Sequence, residues 1–285
     1  MKQPREIAAE RDGMGTIVSL TGVFEGLASM RIAQTKNQVL ESQKFFDELW
    51  HIYTQLRVDS LFRFGRDEEQ SAIDKTLIII ITAEGGFSGD IDQRLIREMQ
   101  KEYTPETHDI IVIGHHGAIQ LSQQGISYKK YYKLPAKDQN INVRPLTKHI
   151  SQYKNTIVFY QSYESLMVQN IRRIELQNAV KDAGQRTTVA DDDEIISDAN
   201  YIFEPGTYEV VSHLERSMLQ ISLSQLILDS KLAQYASRFR SMSAAKQRGE
   251  ETFHDLSLQY NRTKRAISDE RLKEIINGLR GRQMA

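Results

Sequence analysis

The stretch Glu84-Gly85-Gly86-Phe87-Ser88-Gly89 follows the β-branched run Thr76–Thr82 and precedes a helical segment, Asp90–Lys101. Strand, glycine loop and helix in that order is where α/β proteins cradle phosphates, because backbone N–H groups and a helix N-terminus face the anion. The letters do not complete that chemistry. There is no Gly-Lys-Ser/Thr of a P-loop and no G-x-G-x-x-G, and a tight turn that needs glycine fits the string better. His115-His116 could ligate a metal, but no Asp, Glu or further His sits at ligand spacing beside the pair in the sequence. Asp191-Asp192-Asp193-Glu194 could attract a hard cation, yet it lacks EF-hand spacing and reads as a solvated acidic loop. Ser88 stands in Gly-Phe-Ser-Gly rather than the G-x-S-x-G elbow, and no Ser/His/Asp set matches a triad. The expectation is a chain with no catalytic residues, no cofactor and no metal site.

Bulk composition narrows the class. The chain has 285 residues, enough for one large domain or two modest ones, and no cysteine, which removes disulfides, thiolate nucleophiles and Cys-based zinc sites. The longest aliphatic run, Leu77–Ile81, is far short of a membrane span, and the charged opening MKQPREIAAERDG does not read as a signal peptide. An intracellular protein is expected, one still able to dock on a membrane complex. Net charge is −1, so there is no global nucleic-acid footprint. Its distribution is uneven: residues 1–74 carry 9 Lys/Arg against 12 Asp/Glu, 75–206 carry 15 against 17, and 207–285 carry 13 against 9. The basic excess at the C-terminal end suits either an acidic partner or a solvated helix face.

The elements that would position these residues fall into three segments: 1–74, 75–206 and 207–285. In the first, Ile32, Thr35, Val39, Ser42, Phe46, Leu49, Tyr53 and Leu56 recur at alternating spacings of three and four, which predicts one long amphipathic helix. Upstream, Gly13, Gly15, Gly22 and Gly26 weaken that expectation, since each costs a helix about 1 kcal/mol against alanine. The middle segment predicts strands at Thr76–Thr82, His108–Gly114, Ser127–Leu134 and Asn155–Ser162, the last continuing extended through Ile174, with helices at Asp90–Lys101 and Ala118–Gln124. Such alternation implies a parallel or mostly parallel sheet with helices on its faces.

The last segment has no proline after Pro205. Leu214, Met218, Ile221, Gln225, Leu228, Leu232, Tyr235, Phe239, Met242, Lys246, Gly249, Phe253, Leu256, Tyr260, Thr263, Ile267 and Glu270 keep a 4,3 spacing, and 12 of these 17 are apolar. A heptad stripe over so long a helix predicts a coiled coil, and seventy helical residues span roughly 105 Å. That is several times the diameter of a domain this size, so part of the helix must project or be gripped by a partner. Lys246 and Gly249 interrupt the seam, marking where packing loosens or the partner changes. The fold class expected is α/β: an antiparallel coiled coil of long N- and C-terminal helices plus a Rossmann-like α/β domain inserted between them.

Tyr201-Ile202-Phe203-Glu204-Pro205 before the long helix, Arg238-Phe239 with Met242, Ala244 and Ala245, Tyr260-Asn261-Arg262-Thr263-Lys264-Arg265-Ala266, and Glu274-Ile275-Ile276 with Gly278 together resemble the gamma subunit of F-type rotary ATP synthases, as a divergent member or paralogue. The first of these is similar to the family's Y-x-Y/F-E-P string. Arg238-Phe239, Met242, Ala244 and Ala245 resemble its A-R-M-x-A-M-x-x-A-x-x-N-A block. Leu256 and Tyr260-Asn261-Arg262-Thr263-Lys264-Arg265-Ala266 resemble L-x-[YF]-N-[RK]-x-R-Q-A, and Leu272, Glu274-Ile275-Ile276 and Gly278 resemble the closing E-L-x-E-I-x-x-G. Thr82 to Gly89 is similar to T-S-D-R-G-L-C-G, with Glu84, Gly85, Phe87 and Ser88 replacing Asp, Arg, Leu and Cys. Ser19 to Gln34 is poorer in lysine than the family's basic N-terminal string.

The resemblance implies a non-catalytic rotor shaft that couples ion flow to ATP synthesis or hydrolysis in a surrounding catalytic hexamer. It implies as partners the alpha and beta subunits of that hexamer, the epsilon subunit and the membrane c-ring, with membrane contact only through the complex, at the cytoplasmic face of the cell membrane. Met242 to Ala285 and the segment before Arg31 would sit in the ring, with Phe239, Met242, Phe253, Leu256, Tyr260 and Ile267 as the shaft seam. Lys264, Arg265 and Arg262 would form a polar catch on a catalytic subunit. Two other classes remain open on the residues alone. One is an α/β nucleotide- or small-molecule-binding enzyme with a helical dimerisation arm, and the other is a coiled-coil scaffold.

Overall fold

A computed structural model describes residues 3–55, 73–139, 141–176, 204 and 206–283. The elements run α1 (Pro4–Gln55), β1 (Ile73–Ile81), α2 (Ile91–Glu102), β2 (His108–Ile113), α3 (His115–Gln123), β3 (Lys130–Tyr132), α4 (Arg144–Ile150), β4 (Tyr153–Tyr163), β5 (Gln169–Glu175) and α5 (Thr207–Gln283). They form two compact units, one of residues 1–27 with 239–285, the other of residues 28–238.

The larger unit is built on a five-stranded sheet of order β3-β2-β1-β4-β5. Its first four strands are parallel, and β5 joins antiparallel. Leu77–Ile81 is fully buried because β1 is central and covered on both faces. The two-residue period of a strand sends Leu77, Ile79 and Ile81 to one face and Ile78 and Ile80 to the other. The first face packs under Leu146 and Ile150 of α4 and Leu223 and Ile227 of α5. The second packs under Leu95, Ile96 and Met99 of α2 and Ala118 and Leu121 of α3. At the end of β2 the backbone turns so tightly that only glycine fits. Gly114 has φ +100°, and a Cβ there would lie 2.0 Å from the Thr82 carbonyl oxygen.

Two expectations change. The extended run through Ile174 is broken by a reversal after Tyr163, held by Glu164 N–H and Ser165 N–H donating to the Val168 carbonyl, at 3.3 and 3.1 Å. And α4 is an additional helix, opened by Pro145 in its first turn, where a missing N–H costs nothing.

In this unit the terminal helices pair antiparallel through Phe46 and Met218, with Leu49, Trp50 and Ile221 around them. Ile32, Thr35 and Phe46 of the first seam are buried and Val39, Ser42 and Leu49 half-buried, while Leu56 lies outside the described residues.

In the smaller unit the same two helices also run antiparallel. A Cβ on Gly15 would meet Phe253 Cε2 at 3.3 Å, one on Gly249 would meet Val18 Cγ2 at 2.8 Å, and one on Gly22 would meet Lys246 Cε at 3.8 Å. The glycines therefore do not end α1. Three of these small residues let one helix lie close on the other, and Gly249 is a point of closest approach rather than a gap in the seam. Helix α1 opens with Pro4 at its first position, and the Gln3 N–H donates to Glu6 Oε2 at 3.1 Å, as in half of a capping box.

Candidate functional site: a helical shaft surface and a clamped loop

Phe239, Met242, Phe253, Leu256, Tyr260 and Ile267 lie along one face of α5 in the smaller unit. Met242 is buried, Phe239, Leu256, Tyr260 and Ile267 are half-buried, and Phe253 is exposed at its rim. Polar contacts flank this face: Lys246 Nζ reaches Glu25 Oε2 at 3.2 Å, and the Arg11 guanidinium lies 5.1 Å from the centre of the Tyr260 ring. Opposite charges and a cation over an aromatic face add modest pairing energy at such half-exposed positions.

The charged residues assigned to the catch sit differently. Arg262, Lys264 and Arg265 are all exposed. Lys264 Nζ lies 5.9 Å from the Tyr260 ring centre, and among the described residues Arg262 and Arg265 have no ion pair. The structure thus brings the seam residues together on one face and leaves the three cations available to solvent on the same turns. Exposed apolar side chains accompany them in this unit: Ile17, Leu20, Val23, Phe24 and Leu27 on α1, and Leu272, Ile275 and Ile276 on α5.

In the larger unit the glycine loop after β1 is held by α5. Arg238 Nε donates to the Gly86 carbonyl at 3.1 Å, and its Nη2 donates to the Gly85 carbonyl at 3.2 Å and to Ser88 Oγ at 3.4 Å. Ser237 Oγ donates to the Ser88 carbonyl at 2.7 Å. Burial holds Arg238 below the ordinary arginine value. The loop therefore presents carbonyl oxygens to a cation, the opposite polarity to a cradle of N–H groups for phosphate. Phe87, at φ 68°, is left exposed at its tip.

Beside the loop, the carboxyl ends of β1 and β4 carry a buried polar network. This is the point where the strand order changes direction, and where open α/β sheets usually take ligands. Asp92 accepts from Ala83 N–H, from Gln161 Nε2 at 2.8 Å and from His116 Nδ1 at 3.2 Å. Gln161 Oε1 in turn accepts from Ser230 Oγ and Gln234 Nε2 of α5. The hydrogen bond to Asp92 raises His116 above its ordinary value, against the opposing effect of burial. Glu84 accepts from the backbone of His115 and Leu134 and from the Tyr131 hydroxyl. Side chains of α5 thus occupy the switch point. No group of three or more potential ligands is placed to hold a metal among the described residues. Asp191–Glu194, and Tyr201–Pro205 apart from Glu204, lie outside them.

Sequence reasoning missed the roles of Asp92, Gln161, Lys231 and Arg238. Lys231 was the one with a visible signal, a cation between the apolar Leu228 and Leu232. It is buried, and its Nζ donates to Asp138 and to the Pro135 carbonyl.

Terminal helices that pair antiparallel within each unit, with the strands of a mixed sheet between them in sequence, define the class. Residues 3–281 match the family model described as ATP synthase, and the chain belongs to that family. It is 23% identical over 273 residues to the ATP synthase gamma chain of Mesoplasma florum, covering 92% of each chain. It is 21% identical over 299 residues to that of Chlorobium phaeobacteroides, covering 96% of each. Among solved structures it shares its fold with a chain of the Euglena gracilis mitochondrial ATP synthase OSCP/F1/c-ring assembly. The TM-score is 0.64 at 15% identity, covering 98% of this chain and 95% of that one. A chain of the Tetrahymena thermophila central stalk and c-ring gives 0.56 at 15% identity, covering 79% and 99%. Its membership of that family, with relatives named gamma chain, makes it a non-catalytic subunit. No described helix is long and apolar enough to cross a membrane.

Proposed function

We propose that the chain is the central-stalk gamma subunit of an F-type ATP synthase, a rotor that couples ion flow to ATP synthesis or hydrolysis in the surrounding hexamer. The observation that carries this is the surface of the smaller unit. Two helices pair antiparallel by one face, and their other faces leave apolar side chains and the cationic turn Arg262–Arg265 exposed. Such a surface suits a stiff shaft that slides on apolar contacts and engages a partner through a few charges. A rotor must also bias three sites unequally, and only differential contact with each catalytic subunit can do that.

On this reading residues 1–27 and 239–285 work within the ring of alpha and beta subunits. Lys264, Arg265 and Arg262 act as the catch on an acidic loop of a catalytic subunit. Segments 1–74 and 207–285 form the shaft, and 75–206 forms the foot against the epsilon subunit and the membrane c-ring. The protein then lies at the cytoplasmic face of the cell membrane, peripheral and held there only through the complex. The test is affinity purification of the tagged chain from its native source in mild detergent, with the bound proteins identified and ATP hydrolysis assayed. The expected result is recovery of a hexameric ATPase of two related P-loop subunits. Recovery of the chain alone, or as a homodimer, would overturn the reading.

A further inference from the structure

A cleft of about 660 Å³ opens between α2 and the edge strand β5, within the range of small-molecule sites. Its wall is cationic: Arg94, Arg97 and Lys101 come from α2, and Arg172 and Arg173 from β5. Three carboxylates share it, and each is matched to a cation. Glu98 lies 2.6 Å from Lys101, Glu102 3.0 Å from Arg173 and Glu164 3.5 Å from Arg172. That leaves Arg97, with Arg94 three residues before it on the same face of α2 and paired only with Asp90, which does not line the cleft. Arg94 is half-buried, and its Nε makes an ion pair with Asp90 at 3.5 Å but no hydrogen bond. Arg97 is exposed and has no partner among the described residues. The lining carries five cations against three carboxylates, a surplus that favours an anion. Ile171 and Phe159 line the same cleft as apolar surface.

We propose that this cleft binds a multiply charged phosphate anion, held by Arg94 and Arg97. Two adjacent guanidinium forks match phosphate oxygens in a way that single lysines do not. The paired carboxylates hold the surrounding cations in place. The inference stands on the cleft alone and does not depend on the shaft reading. The phosphate can be that of a soluble diphosphate or of a lipid headgroup, and the two sources separate experimentally.

The full chain is titrated calorimetrically with inorganic pyrophosphate, and in parallel sedimented with phosphatidylcholine vesicles with and without cardiolipin. Saturable binding of pyrophosphate, or selective binding to the cardiolipin vesicles, is expected. It should fall about tenfold or more in Arg94→Gln/Arg97→Gln, and measurably in the exposed single variant Arg97→Gln, whose folding is not at stake. Arg144→Gln on α4 serves as the control and should change binding less than about twofold. A response to pyrophosphate assigns the soluble source, and a response to vesicles alone assigns the headgroup. Binding of neither probe, or equal losses in the α2 and α4 variants, would overturn the proposal.

Discussion

Lys231 is 2% exposed in the apolar stripe of α5, where an unpaired ammonium is strongly disfavoured. Asp138 compensates it and also accepts from Thr35 Oγ1 at 2.7 Å, so one carboxylate ties a loop to both terminal helices in the larger unit. Removing one partner is much worse than removing both. Asp138→Ala should destabilise the chain by about 3–5 kcal/mol, whereas adding Lys231→Met should recover most of that loss. Urea unfolding of the three proteins checks it. His116 gives the pH-dependent counterpart. Its pKa is raised in the folded state by the Asp92 hydrogen bond, with Glu84 adding and burial and Arg238 opposing. The contribution to stability is therefore complete below the ordinary value of 6.5 and is lost as pH rises through the higher folded value. The stability difference between the natural chain and His116→Asn should shrink between pH 5.5 and pH 8, read from urea midpoints at each pH. A difference that grows with pH would contradict the assignment.

The helices were legible because their seams repeat within each segment. Ile32, Thr35 and Phe46 are buried at the spacing that predicted them, and so are Leu228, Leu232 and Met242. What one helix's sequence does not display is the surface opposite. Gly15 and Gly249 read as weak points because an isolated helix pays for glycine, yet each is placed against a side chain more than two hundred residues away. The β4–β5 reversal was hidden for a local reason. Ser165-Leu166-Met167-Val168 contains neither glycine nor proline, and the turn is closed instead by Ser165 Oγ accepting from the N–H groups of Met167 and Val168. The clamp on the glycine loop was equally invisible, since Arg238 lies 152 residues from Gly86. The same helix pair makes a paired prediction. Gly13 and Gly26 have nothing within 4 Å of an added Cβ, so Gly13→Ala and Gly26→Ala should each stabilise by up to about 1 kcal/mol. Gly249→Ala meets Val18 Cγ2 at 2.8 Å and should lose stability by about 1–2 kcal/mol despite its better helix propensity. Thermal melts followed by circular dichroism separate the two outcomes, and equal gains at all three positions would refute the close approach.

For the whole molecule, on the proposed function, coupling is a free-energy difference between a shaft engaged with a catalytic subunit and one that slips past it. Lys264 and Arg265 are exposed and make few internal contacts, so replacing both by alanine should leave the stability of the chain within about 0.5 kcal/mol. Any large effect in the assembled enzyme then belongs to the interface. Losing contacts that distinguish one rotor position from another should weaken coupling by about 1–3 kcal/mol, or roughly 5- to 150-fold. ATP hydrolysis should persist, because the chain supplies no catalytic residue. The measurement is ATP-driven ion pumping against ATP hydrolysis in reconstituted complexes carrying Lys264→Ala/Arg265→Ala, beside a chain ending at Thr252. Hydrolysis retained with pumping lost in both would place the catch on the turn holding Arg262, Lys264 and Arg265. Full coupled turnover by the shortened chain would remove the catch from that turn and leave torque to the apolar belt of Ile17, Leu20, Val23 and Leu27. Loss of pumping in the shortened chain but not in the double variant would instead assign coupling to the seam, where Phe253, Leu256, Tyr260 and Ile267 keep α5 paired with α1.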